Sequence, residues 1–185
     1  MTQLIIYGDF NCPFSALASA RADVLLTAGT YQIEWRAIQH DPSIPPGGEP
    51  VLGELAAALA AEVATIFELT KQDVGFHLAV PPVRSNTANA SEAFAAARSD
   101  ADELRRQLFA AVWTEGRNLG DPSELDRLGA GARNVVLARK WQDAFEALPR
   151  PITPTLVLAD GYVSRGLGAL TRLIELREVA SDEPQ

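Results

Sequence analysis

Residues 4–7, Leu-Ile-Ile-Tyr, form a short unbroken apolar run closed by Gly8 and Asp9. That pattern predicts a strand buried on both faces in a parallel or mixed sheet. Residues 31–37 alternate instead, with Tyr31, Ile33, Trp35 and Ala37 on one face and Gln32, Glu34 and Arg36 on the other. Alternation predicts a half-buried strand suited to a sheet edge. Between the two, Leu17, Ala20, Val24 and Ala28 recur at helical spacing, and Gly29 suits the left-handed residue that ends a helix. The three elements predict a right-handed β-α-β unit with the first strand central.

The pattern then changes. Residues 40–50 carry four prolines and two glycines, which break regular structure and mark a boundary. A helical stretch follows, with Leu55, Leu59, Val63, Ile66 and Phe67 as its apolar stripe and Glu54, Glu62 and Glu68 mostly off it. Residues 80–86, with Pro81-Pro82, predict a crossing loop. Three pairs, Asn89 with Glu92, Asp100 with Glu103, and Asp121 with Glu124, have the spacing of helix N-caps and their N3 partners, the last with Pro122 at the first helical position. Leu104, Leu108, Phe109 and Val112 line one of these helices. Leu137, Trp141, Phe145 and Leu148 line another, which Pro149-Arg150-Pro151 stops. The chain ends on a strand at 155–158, an Asp160-Gly161 turn, a partner strand at 162–164 and a terminal helix through Leu167, Leu170, Leu173, Ile174 and Arg177, with a frayed polar tail after Val179. These elements divide the chain into one unit from 1–50 and 149–185 and a helical insertion over 51–148.

Composition narrows the function classes. With 185 residues, 47% of them hydrophobic, the chain can bury a sizeable core. No segment reaches the roughly 18 consecutive apolar residues of a membrane span. A net charge of −8 lacks the basic footprint of a nucleic-acid binder. The first residues carry no basic stretch followed by an apolar one, so a cytoplasmic location is expected. The lone cysteine fits a reducing compartment. His40 and His77 are separated by a helix and have no second cysteine or paired carboxylate motif, so no metal site is expected.

The chemistry gathers at Asp9-Phe10-Asn11-Cys12-Pro13-Phe14-Ser15. Pro13 suits the first helical position, which puts Cys12 at the N-cap and Ser15 at N3. A sulfur there meets unsatisfied N–H groups and the positive end of the helix dipole, both of which favour thiolate and lower the pKa. A free cysteine is also commonly an inert buried hydrophobe. Ser15 can cap the helix end or hydrogen-bond the Cys12 sulfur. Asp9 can tune the thiol, accept its proton or simply form the turn. His40 can act as a general base or lie at the surface.

A strand followed by Asp-Phe-x-Cys-Pro-x-x and a helix resembles the active-site corner of the DsbA family, in particular its FrnE-like branch. Glu34-Trp35-Arg36, residues 109–122 and Ile152-Thr153-Pro154-Thr155 resemble further segments of that family in the same order, so most of the chain is covered. The resemblance implies an α/β, thioredoxin-like fold with an inserted α-helical subdomain that roofs the site, in agreement with the element order. It implies Cys12, Ser15 and Pro154 as catalytic residues, with Thr153 and Pro154, at the position of the family's cis-proline, receiving an incoming peptide or glutathione. One departure is decisive. The family's Cys-x-x-Cys is here Cys12-Pro13-Phe14-Ser15, and with no other cysteine an internal disulfide is impossible. The dithiol cycle is replaced by mixed-disulfide exchange with an external thiol, or by no redox chemistry.

The expected function is therefore a monothiol oxidoreductase acting on a small thiol or disulfide, with no tightly bound cofactor and glutathione as a co-substrate. The kappa-class glutathione transferases and 2-hydroxychromene-2-carboxylate isomerases are similar in architecture, with serine at the Cys12 position, and offer a glutathione-dependent transferase or isomerase as the alternative. A third reading is a silent binding module that keeps a peptide groove around Pro154. The relatives also imply a homodimer.

Overall fold

The computed structural model describes residues 2–70, 75–97 and 100–182. Its sheet begins with β1 (Thr2–Gly8), whose Leu4, Ile6 and Tyr7 are buried. The helix α1 (Pro13–Ala28) crosses to β2 (Tyr31–Ala37), which pairs parallel with β1 from Thr2↔Tyr31 to Gly8↔Ala37. A two-residue strand β3 (Glu49–Pro50) leads to α2 (Gly53–Leu69), and β4 (Val83–Arg84) returns antiparallel to β3. Four helices follow: α3 (Ala88–Ala96), α4 (Ala101–Trp113), α5 (Pro122–Arg127) and α6 (Val135–Glu146). The strands β5 (Thr155–Val157) and β6 (Val163–Arg165) and the helix α7 (Leu167–Asp182) complete the described chain. The main sheet has the order β2-β1-β5-β6, with β1 central and both β5 pairings antiparallel. This is a thioredoxin-like α/β sheet with helices between its second and third strands.

The β5–β6 turn forms where Asp160-Gly161 predicts it: Gly161 takes φ 85°, and Asp160 accepts from the Tyr162 N–H. Gly29 ends α1 at φ 73°. Several finer expectations are corrected. The α1 stripe is not Leu17, Ala20, Val24 and Ala28, since Val24 is 43% exposed while Ser15, Ala16, Leu17, Ala18, Ser19, Arg21, Ala22 and Leu25 are all buried. The helix is wrapped by β2, α2, α4 and α7, so burial extends around it and no single stripe is expected. Phe67 is exposed, leaving Leu59, Val63 and Ile66 as the buried side of α2. Helix α3 starts at Ala88 behind Thr87, so Asn89 is not a cap. Asp100 sits at the N-cap of α4 but makes no side-chain cap bond, whereas Asp121 caps α5 through the Ser123 N–H. The loop at 80–86 contains β4, and α7 continues past Val179 to Asp182.

Two buried arginines fasten α1 to its surroundings. Arg21 donates to the carbonyls of Leu170 and Leu69, both at 3.0 Å, linking α1 to α7 and α2. Arg105 of α4, fully buried, donates to the Ser19 carbonyl (2.9 Å) and hydroxyl and to Asp23 (2.6 Å), and its guanidinium lies 5.4 Å from the Trp35 ring centroid.

Candidate active site at the Cys12 corner

The corner is built by β1 ending against a wall. Gly8 is needed there because a Cβ would sit 2.3 Å from Cζ2 of Trp35 and 3.2 Å from the Ser15 hydroxyl. The chain turns at Asp9, and α1 starts with Pro13 at N1, leaving Cys12 as N-cap in extended conformation (φ −93°, ψ 117°) and Ser15 at N3. Phe10 is fully buried, with Phe109 5.0 Å away at its edge, and its carbonyl accepts from Trp113 Nε1 at 2.8 Å. The Asn11 amide clasps the backbone of Ser85, donating to its carbonyl and accepting from its N–H. Helices α4 and the β4 loop are thereby pinned to the corner through the two residues that precede Cys12.

Asp9 is 2% exposed and accepts three hydrogen bonds: Oδ1 from the Asn11 N–H (3.0 Å) and the Thr87 hydroxyl (2.9 Å), Oδ2 from the His40 N–H (2.8 Å). It is thus both turn former and cross-brace. Burial nevertheless pushes its carboxyl above the usual carboxylate range, against the three donors.

Cys12 Sγ donates to the Thr153 carbonyl at 3.8 Å, and the Thr153–Pro154 peptide is cis. Cys12 and Thr153 are therefore brought together from opposite ends of the chain. Ser15 is fully buried. Its hydroxyl is near enough to favour a charged sulfur, but it makes no hydrogen bond of good geometry and points toward Gly8 and Trp35. The expected acidity of Cys12 is overturned. Burial pushes its thiol above the ordinary value, the nearby Asp9 charge pushes the same way, and the contacts from Ser15 and Thr153 only partly oppose them. The helix start alone does not decide the pKa: Cys12 is half-buried at the foot of a cleft, and desolvation there works against the thiolate.

A cleft of about 310 Å³ opens over the sulfur. Cys12, Pro13 and Phe14 form one side and Ile152 and Thr153 another. Leu59 and Glu62 of α2, Arg84 of β4 and Ile44 of the loop after β2 close it. His40 is exposed at its rim with its ring 6.5 Å from Phe145, while His77 lies away from it. Among the described residues no group of three or more His, Cys, Asp and Glu side chains is placed to hold a metal, and no helix is long and apolar enough to cross a membrane.

Sequence reasoning missed Glu62 and Arg84. Glu62 lies three residues after Leu59, one turn along the same edge of α2, and that spacing was the available signal. Arg84 reaches the cleft through the short β3–β4 pair, where it faces Glu49 across the strands, and two-residue strands leave no periodic trace.

Residues 3–135 match the family described as DSBA-like thioredoxin domain. The chain belongs to that family. Among solved structures it is similar to a probable DsbA oxidoreductase from Streptomyces coelicolor (TM-score 0.73, 17% identity, covering 100% of this chain and 92% of that one). It is also similar to a 2-hydroxychromene-2-carboxylate isomerase (0.62, 20%, covering 97% and 94%). A third similar structure is the cytosolic disulfide reductase DsbM from Pseudomonas aeruginosa with GSH (0.61, 14%, covering 97% of each chain). Within this DSBA-like fold the thiol stands at the strand-to-helix corner, with Ser15 three residues on in the first turn of α1.

Proposed function

We propose that the protein is a monothiol oxidoreductase of a reducing, cytoplasmic compartment, in which Cys12 exchanges disulfides with a small external thiol or disulfide, glutathione being the candidate co-substrate. The observation that carries this reading is the Cys12 sulfur, set against the Thr153 carbonyl on the floor of a cleft sized for a small molecule. The Cys12 thiol loses its proton to solvent, and the thiolate attacks one sulfur of a disulfide RSSR. A Cys12–S–S–R bond forms as the S–S bond of RSSR breaks, and the other half leaves as RS⁻ and takes up a proton. A second external thiol R′SH then attacks the mixed disulfide as its thiolate, releases RSSR′ and returns Cys12 as a thiol. Ser15 cannot resolve the intermediate. Thr153 and Pro154 present the chain beside which the R group lies. The disulfide reductase and its GSH, at a shared fold, are consistent with this assignment.

The test is intact mass after incubation with oxidised glutathione: one glutathione adduct, absent in Cys12→Ser and removed by a thiol reductant, is expected. Absence of an adduct on the folded protein from both oxidised glutathione and neutral 2-hydroxyethyl disulfide overturns the reading.

One observation favours a second reading. Burial and the Asp9 charge hold Cys12 in its S–H form, which suits a donor to a bound thiolate better than a nucleophile. In a glutathione-dependent transferase or isomerase, Cys12 would orient the glutathione sulfur, and a 2-hydroxychromene-2-carboxylate isomerase shares the fold. Saturable glutathione binding that survives Cys12→Ser selects this reading over the first.

A further inference from the structure

Among the described residues, no side chain answers the carboxylate of Glu62. It projects from α2 into the wall of the cleft that Cys12 opens into, half-buried, and it makes no hydrogen bond or ion pair among the described residues. The guanidinium that lines the cleft among the described residues is already committed. Arg84 Nη2 lies 2.7 Å from Glu49 Oε2 and 3.0 Å from Asp41 Oδ2, and Nε donates to the same Glu49 oxygen at 3.1 Å. Two carboxylates thus share Arg84, and none of its charge is left over for Glu62. The lining also holds Asp9, whose carboxylate oxygens accept from three donors. A charged molecule entering this space meets an uncompensated negative wall in a partly desolvated cleft, where charge–charge energies are several times those in bulk water. Burial already disfavours the ionised Glu62, and an incoming cation relieves that penalty while an anion increases it.

We infer that Glu62 is the specificity-determining residue of the cleft and selects small disulfides and thiols that carry an ammonium group close to sulfur over those that carry carboxylates. The inference rests on the disulfide exchange at Cys12 proposed above and names its substrate class. With cystamine as substrate, the Cys12 thiolate attacks one sulfur, cysteamine leaves as thiolate and is protonated by solvent, and the half that stays on Cys12 keeps its ammonium group within reach of the Glu62 carboxylate. Oxidised glutathione also carries ammonium groups, but its four carboxylates outnumber them, so it reacts more slowly.

The experiment measures adduct formation on Cys12 at pH 7 by intact mass, with cystamine, neutral 2-hydroxyethyl disulfide and oxidised glutathione. Each rate is divided by that of the same chain unfolded in urea, which removes the intrinsic reactivity of each reagent. The folded protein is expected to prefer cystamine over the neutral disulfide by about tenfold, with oxidised glutathione slowest. Glu62→Gln should shrink that preference to about twofold or less, and Glu62→Lys should reverse it in favour of oxidised glutathione. A purely structural role for Glu62 would move all three rates together. An unchanged preference in Glu62→Gln overturns the inference and leaves exchange at Cys12 standing. No adduct from even the neutral disulfide overturns both.

Discussion

At the scale of the residue, position and acidity come from different sources. The N-cap place of Cys12 was legible because it depends on neighbours in sequence: Pro13 at N1 and Ser15 at N3 follow from local backbone rules. Its pKa was not, because the packing that desolvates the sulfur and the groups that hold the Asp9 carboxylate beside it, the Thr87 hydroxyl and the His40 N–H, arrive from elsewhere in the chain. The direction is testable. A thiol disfavoured as thiolate should be alkylated by iodoacetamide with an inflection above the ordinary value of about 8.5, and be less reactive at pH 7 than a free cysteine. Asp9→Asn removes a negative charge that opposes ionisation of the sulfur, so its inflection should fall below that of the wild type. An inflection below the ordinary value in wild type, or an upward move in Asp9→Asn, would contradict the geometry. The variant should also lose about 1–3 kcal/mol in urea unfolding, because an amide cannot accept all three bonds that Asp9 now takes.

At the scale of the element, strands were easier to read than helix faces. The unbroken run of β1 and the alternation of β2 predict central and edge positions, and the sheet order β2-β1-β5-β6 places them so. Helix α1 resisted the same reasoning since it is buried nearly all round, including Ser15, Ser19 and Arg21, polar residues that a hydrophobic pattern assigns to solvent. Arg105 was invisible for the same reason: it looks like a surface residue until Ser19, Asp23 and the Trp35 ring are assembled around it. Its role predicts a large effect. Arg105→Ala should destabilise by about 2–4 kcal/mol, from a buried cavity and the lost bonds to α1, because Arg106 still holds Asp23 at 3.1 Å and spares the protein an isolated carboxylate. Arg105→Met, which refills most of the volume, should recover part of that loss. Equal urea midpoints for wild type and Arg105→Ala would show that α1 is held by its apolar contacts alone.

At the scale of the whole molecule, the helical segments between β2 and β5 were legible as helices but not as a roof. Which residues they turn toward the sulfur is decided by long-range clasps, Asn11 to Ser85, Asp9 to Thr87 and Phe10 to Trp113, that have no periodic signature. Those clasps also bear on what the missing second cysteine means. Ser15 occupies the N3 position, fully buried, and its hydroxyl has no well-formed hydrogen bond among the described residues, its one polar contact being with the Cys12 sulfur, so replacing oxygen by sulfur breaks no bond to the rest of the fold. Ser15→Cys should therefore fold like the wild type and place a second thiol three residues after Cys12 in the first turn of α1. A mixed disulfide at Cys12 would then have an internal resolving thiol: the new thiolate attacks Cys12 Sγ, the Cys12–S–S–R bond breaks, RS⁻ leaves, and an intramolecular disulfide remains. A dithiol reductant restores both thiols. The expected outcome is measurable insulin reduction by Ser15→Cys with a thiol reductant, against little by the wild type. If the variant forms the disulfide yet stays as inactive on insulin as the wild type, the roof over Cys12 admits small molecules and excludes polypeptides. The 310 Å³ cleft, closed by Leu59, Glu62 and Arg84, then marks the limit of the protein's substrates.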